Sequence, residues 1–90
     1  MRLIVKVSAA VFTEQNIPVA VIIVKYQACL NAHDQQKTLA GVSGFFQDAH
    51  TIIMWERPDR RNQFYGRTDI VNFLSNIHPS RLPWKEYTFS

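Results

Sequence analysis

Leu3, Val5 and Val7 alternate with Arg2, Lys6 and Ser8, with Ile4 the exception. A period of two predicts a half-buried strand at the start of the chain. The segment "TEQNIP" breaks the alternation, and Pro18 is placed to be the first residue of a helix, with Asn16 or Ile17 outside it. The next segment, "VAVIIVKYQACLNAHD", carries two patterns at once. Its β-branched run, Val19, Val21, Ile22, Ile23 and Val24, favours a strand. Its spacing also suits a helix, with Val19, Ile22, Ile23, Tyr26 and Leu30 on one face. The residues alone leave both open.

The remaining elements are plainer. "DQQKTLAGVSGFFQDA" predicts a helix with Asp34 as N-cap, because Leu39, Val42, Phe45 and Phe46 recur at helical intervals. Gly41 and Gly44 weaken it by up to ~1 kcal/mol each relative to alanine, and are expected to permit close packing against a neighbour. "HTIIMWERP" reads as a strand ended by Pro58, which cannot donate to a central ladder. "DRRNQFYG" is a turn or a short returning strand. "TDIVNFLSNI" is the clearest helix: Ile70, Phe73, Leu74 and Ile77 share a face, Thr68 is the expected N-cap, and Pro79 lies beyond the end. "PWKEYTFS" begins another strand.

Composition sets bounds on this picture. Ninety residues, 47% hydrophobic and 19% charged, argue for one globular domain without repeats or low-complexity tracts. A chain this short buries about 60–65% of its unfolded surface, so shared burial in an oligomer would help it. The net charge of +3 permits anionic partners without demanding them. Arg57, Arg60, Arg61 and Arg67 fall close together, with Glu56, Asp59 and Asp69 against them. Cys29 is the only cysteine, which excludes an internal disulfide and a cysteine-rich zinc site and points to a reducing, cytoplasmic setting. Lys6 interrupts the apolar run at the start and leaves it short for a secretory signal. No apolar stretch approaches the ~20 residues that span a bilayer.

In this order, three pieces give the chain a family likeness: "KYQACLNAHD", "FFQDAHTIIMWERP" and "FYGRTDIVNFLSNI". Over residues 18–78 it resembles the nuclear transport factor 2-like superfamily, and most of all its SnoaL-like and ketosteroid isomerase-like branch. The resemblance implies an α+β fold, with helices packed on a curved, mostly antiparallel sheet that forms a cone-like half-barrel. It favours a helix at 19–32, against propensity, and it makes Gly66 the residue that turns the chain into the following helix. Two departures stand out. The stretch between Asp34 and Phe46 is about one helical turn longer than the family pattern. The family's last strands would follow the point where this chain stops, so the sheet is expected to be incomplete. Either the chain is partial, or residues 1–12 and a partner subunit supply the missing edge, since an open sheet exposes unpaired backbone.

The enzyme branch uses a tyrosine on its first helix, a carboxylate just before a proline and a later acid. Such a site needs a base near a reactive C–H bond and donors aimed at the developing enolate. Tyr26 matches the tyrosine by position. Arg57, not an acid, precedes the proline; Glu56 is adjacent and belongs to the other face of the strand. The later acid would lie beyond Ser90. The catalytic candidates are therefore Tyr26 and Glu56, both weak, and the ligand-binding candidates are Tyr26, Trp55, Arg57, Phe64 and Tyr65.

Each candidate also has a plain structural role: Tyr26 and Trp55 as packing residues, Glu56 and Arg57 as partners of neighbouring side chains, Cys29 as a small buried hydrophobe. His33, His50 and His78 show no ligand spacing, so no metal is expected, and no cofactor is implied. The leading expectation is a domain that binds a small apolar molecule, in a homo-oligomer such as a dimer. The alternative is a non-catalytic protein-interaction module like the transport-factor members. Nucleic-acid binding through "RPDRRNQFYGR" has the right chemistry for single strands, but it rests on one short cluster that a solvated turn explains as well.

Overall fold

The computed structural model describes residues 5–89. Arg2, Leu3 and Ile4, part of the opening alternation, lie outside them. Five strands and two α-helices follow in the order β1 (Val5–Glu14), β2 (Ile17–Ile23), α1 (Ala32–Val42), β3 (His50–Glu56), β4 (Asn62–Tyr65), α2 (Thr68–Ser75) and β5 (Trp84–Phe89). The strands form one mixed sheet in the order β4-β3-β2-β1-β5, which is not closed. β2 and β3 run parallel, and the other three pairings are antiparallel.

The break at "TEQNIP" is the turn of a β-hairpin. Gln15 and Asn16 both have positive φ (50° and 66°), and Glu14 pairs with Ile17 on either side. Two central residues with φ > 0 are what a two-residue hairpin of type I′ requires. Pro18 accordingly opens no helix. It lies in β2 opposite Thr13, one residue before pairing with β3 begins at Val19 and His50. A residue without an N–H is tolerated there because the second ladder has not yet started.

The helix expected over residues 19–32 is not formed; β2 occupies Ile17–Ile23, and a single 3₁₀ turn follows at Tyr26–Ala28. Propensity prevailed over spacing. Val19, Ala20, Val21 and Ile22 are all fully buried because both faces of this central strand are covered. A strand covered on both faces reads as a continuous apolar run rather than an alternation, and so mimics a helix face.

The pairing register sorts side chains into two faces. Ala10, Phe12, Val19, Val21, Ile52, Met54 and Phe64 share one, onto which Ile70, Val71, Phe73 and Leu74 of α2 pack. Ile53, Trp55 and Tyr65 share the other, with Cys29 and Leu39 and Val42 of α1 against them. The helices therefore lie on opposite sides of the sheet, and β2–α1–β3 is a parallel crossover unit.

Several local expectations shift by a few residues for identifiable reasons. The N-cap of α1 is Asn31, not Asp34: the Asn31 Oδ1 accepts from the Asp34 N–H at 2.8 Å, and the Asn31 Nδ2 donates to the Asp34 carboxylate at 3.3 Å. Asp34 then sits in the first turn, where the helix dipole favours a negative charge. α1 stops at Val42 and passes into a 3₁₀ turn, Ser43–Phe45. Phe45 and Phe46 leave the helical path to meet β5: Phe45 stacks on Phe89 at 4.7 Å, and Phe46 meets Tyr87 edge-on at 5.0 Å. Gly41 and Gly44 face open space, with no atom within 4 Å of where a Cβ would stand, so they serve no close approach. α2 is capped at Arg67, with Thr68 as its first residue, and it ends at Ser75 rather than at Ile77.

Gly66 turns the chain between β4 and α2 with φ +153°. A Cβ there would collide with Ile52 Cδ1 and lie 3.2 Å from the Thr51 carbonyl oxygen. Both the backbone angle and the space require glycine.

Candidate functional site

The β3–β4 hairpin is built by its turn chemistry. Pro58 and Asp59 are the central residues of a turn closed by Arg60 N–H donating to Arg57 O at 2.8 Å. Arg60 follows in the left-handed region (φ 66°), and Arg57 N–H donates to Arg61 O at 2.8 Å. The Asp59 carboxylate accepts from the Arg61 N–H at 3.1 Å. This is the geometry of a hairpin loop whose last residue takes a positive φ. It fixes the register, and with it places Gln63 opposite Trp55 and Asn62 opposite Glu56.

On the α1 face, that register and the 3₁₀ turn at Tyr26–Ala28 enclose a cleft of ≈ 220 Å³ lined by Tyr26, Cys29, Leu30, Gln35, Trp55, Arg57 and Gln63. Trp55 forms its floor and is only 5% exposed. The wall that carries Cys29 is tied to α1 by two hydrogen bonds to backbone carbonyls: Thr38 Oγ1 donates to Ala28 O at 2.8 Å, and Gln35 Nε2 donates to Cys29 O at 3.3 Å. Val24 N–H donates to Met54 O at 2.9 Å, which carries the parallel ladder to the rim of the cleft.

Three of the expected residues, Tyr26, Trp55 and Arg57, thus meet in one place. Tyr65 lies on the same face but packs into the α1-side core beside Ile53 instead of lining the cleft. Phe64 is on the opposite face, where it lines a separate cleft of ≈ 380 Å³ with Asn62, Val71, Leu74 and Ile77. Glu56 is also directed to that opposite face by strand alternation and is exposed. The pairing of Glu56 with Tyr26 as catalytic candidates therefore fails geometrically: the sheet separates them.

Gln63, Gln35, Cys29 and Leu30 line the cleft without having been anticipated as ligand contacts. Gln63 was not predictable from the turn residues: a turn centred on Pro58 and Asp59 alone would place residue 62 opposite residue 55, and the positive φ of Arg60, which adds a third residue to the loop, shifts the partner to Gln63. Gln35, on α1, has no short-range signal either.

The electrostatics are simple. Burial raises the pKa of the Cys29 thiol above its ordinary value of 9.0, and the Asp34 carboxylate adds to this. Cys29 is therefore a neutral thiol at physiological pH and a poor nucleophile. Arg57 is the one lining residue with a formal charge at that pH. Its Nε lies 4.0 Å from the Asp59 carboxylate, and both side chains are about half exposed, which makes a loose pair.

Of the remaining arginines of the hairpin region, two lie close to carboxylates: Arg61 is 3.7 Å from Asp59, and Arg67 is 2.8 Å from Asp69. Phe64 and Tyr65 point to opposite faces of β4 and cannot present one stacking surface. Among the described residues no group of three or more His, Cys, Asp or Glu side chains is placed to hold a metal ion. No helix of the described residues is long and apolar enough to cross a membrane.

Set against family models, curated proteins and solved structures, the chain matches none. The reading of its function rests on the cleft and on the residues themselves.

Proposed function

We propose that this chain binds a small molecule in the cleft between Tyr26, Trp55 and Arg57. The observation that carries the reading is convergence. Residues from the 3₁₀ turn, α1, β3 and β4 meet in one concave site, whose open lining is mainly polar above the almost fully buried Trp55. Convergent polar groups are what fix a ligand's orientation in a pocket. At ≈ 220 Å³ the cleft is smaller than the ~300–1,000 Å³ of sites for drug-sized ligands, so a single-ring compound fits better than a polycyclic one. The resemblance to the SnoaL-like and ketosteroid isomerase-like branch supports the same class of ligand. It adds the proposal that the sheet curves into a half-barrel.

Catalysis is not part of the proposal, because the cleft holds no carboxylate that could act as a base. Amide chemical-shift mapping of the whole chain against single-ring carbonyl compounds tests the reading. Saturable shifts confined to Cys29, Gln35, Trp55, Arg57 and Gln63 are expected. Shifts only on the α2 face, or none at all, would overturn it.

A second reading rests on a different observation. β5 is an outer strand of an unclosed sheet and carries Trp84, Tyr87 and Phe89. Strand addition along such an edge is a common mode of association. We propose that a second copy of the chain pairs there, giving a dimer and extending the sheet. Sedimentation velocity at micromolar concentration should give the mass of a dimer; a monomer at all concentrations rules this out.

A further inference from the structure

The outer edge of β5 has a definite hydrogen-bonding pattern, set by the β1–β2 turn. In a two-residue hairpin the residues flanking the loop, here Glu14 and Ile17, form a hydrogen-bonded pair. Bonding then alternates along β1. Phe12 and Ala10 turn their N–H and C=O toward β2, while Ala9, Val7 and Val5 turn theirs toward β5. Their partners Lys85, Tyr87 and Phe89 therefore bond inward, and the N–H and C=O of Glu86 and Thr88 face away from the sheet. Trp84 N–H is already satisfied, donating to Leu82 O at 2.9 Å. Glu86 and Thr88 thus leave their backbone donors and acceptors at an edge where the strand order ends.

The side chains limit how those groups can be paired. On the α1 face β5 carries Lys85, Tyr87 and Phe89, with Phe46 edge-on to both rings at 5.0 and 5.5 Å. On the α2 face it carries Trp84, Glu86 and Thr88. Two copies that meet antiparallel about a two-fold axis set one residue opposite itself. An axis at Lys85 or Glu86 puts like charges directly opposite, which is destabilising. An axis at Trp84, Thr88 or Phe89 sets Glu86 or Thr88 opposite residues outside β5. An axis at Tyr87 sets Glu86 opposite Thr88 and Lys85 opposite Phe89, with no like charges facing and every outward backbone group of Glu86 and Thr88 paired.

We infer, on the basis of the dimer reading above, that two copies of the chain join through β5 about a two-fold axis at Tyr87. The Glu86 N–H of each copy donates to the Thr88 C=O of the other, and each Thr88 N–H donates to the Glu86 C=O opposite. The two Tyr87 side chains meet on the axis and join the aromatic groups around Phe46 into one layer across the interface. The stem of Lys85 lies beside the ring of Phe89 in the second copy. Charged residues ordinarily blunt an edge strand against arbitrary pairing; here Lys85 and Glu86 select one register.

Disulfide trapping in a Cys29→Ala chain tests the axis. Directly opposite residues of a non-hydrogen-bonded pair have Cα atoms about 4.5 Å apart, within the span of a disulfide. Tyr87→Cys should oxidise to a covalent dimer roughly ten-fold faster than Glu86→Cys or Thr88→Cys, each of which faces a different residue across the interface. Glu86→Pro provides a second measure. It removes an outward N–H and keeps the bonds to β1, so the monomer should stay folded by circular dichroism. Its dimer should dissociate at more than about ten-fold higher concentration in sedimentation.

Faster trapping of Glu86→Cys would overturn the axis at Tyr87. So would a Tyr87→Cys chain that sediments as a dimer and does not cross-link. A Glu86→Pro dimer of undiminished strength would move the contact away from β5. Each of these outcomes leaves the dimer itself standing. A Cys29→Ala chain that is a monomer at all concentrations would overturn the dimer reading, and the axis with it.

Discussion

The two faces of the sheet are built from the same five strands, yet they are finished differently. On one, α2 buries Ile70 and Leu74 against Val21, Ile52 and Met54, an aliphatic layer with no buried polar or charged side chain. On the other, α1 buries none of its own residues fully. It rests on Ile53 and Trp55 through the half-buried Leu39 and Val42, and the space left beside the 3₁₀ turn is the cleft. The contrast lies in how firmly each helix is seated and not in which face has a cleft, since the α2 face also carries one of ≈ 380 Å³ beside its close-packed layer.

The largest test of this contrast concerns Gly66, where the chain turns onto the α2 face. Gly66→Ala should destabilise the protein by about 2–5 kcal/mol, summing backbone strain and overpacking against Ile52. Urea unfolding measures it, and a loss under 1 kcal/mol would mean that this corner is not rigid. Next come matched truncations on the two helices. Leu74→Ala, at 1% exposure, should cost about 3 kcal/mol. Leu39→Ala should cost about 1 kcal/mol, because the side chain is only partly removed from water. Equal losses in chemical denaturation would abolish the distinction between the faces.

A smaller effect of opposite sign is expected in α1. Gly41→Ala should stabilise by up to about 1 kcal/mol, since a helix-interior glycine there faces open space. The thermal midpoint should rise, and a fall would show that something unseen lies against α1.

The smallest effect comes from Cys29. Its folded pKa is raised above 9.0, so the unfolded chain loses the proton first. The stability contribution of the neutral thiol is thus complete below pH 9.0 and declines as pH rises above it, while below that pH the group leaves stability unchanged. Alkylation by iodoacetamide should accordingly begin at higher pH in the folded chain than in urea. Identical pH profiles would place the thiol in water.

Much of this architecture was legible before any coordinates. β3, α2 and β5 follow from helical spacing, strand pattern and proline positions, while β4 is one of the two readings left open for "DRRNQFYG". Tyr26, Trp55 and Arg57 were already candidates for one site. The failures have physical causes. β2 is apolar on both sides because both sides are covered, and a pattern without alternation cannot be told from a helix face by spacing. The sequence places the cap of α1 at Asp34, three positions late, because Asn31 is an equally good N-cap and its side chain accepts from the Asp34 N–H. Phe45 and Phe46 sit at helical intervals, but rings of β5 more than forty residues further along the chain draw them away from the helix.

What the sequence determined by itself was local: where Pro58 ends a strand, where the chain enters α2, and which face of α2 is apolar. Period, propensity and turn chemistry are properties of short segments, and short segments are what a sequence displays directly. Only the tertiary structure decided that α1 and α2 lie on opposite faces. It also decided that Phe64 and Glu56 are divided from Tyr26 by the sheet, and that Gln35 and Gln63 join Arg57 at the cleft. Those are consequences of the pairing order β4-β3-β2-β1-β5. Strand order is fixed by the total burial of the chain, which no single segment encodes.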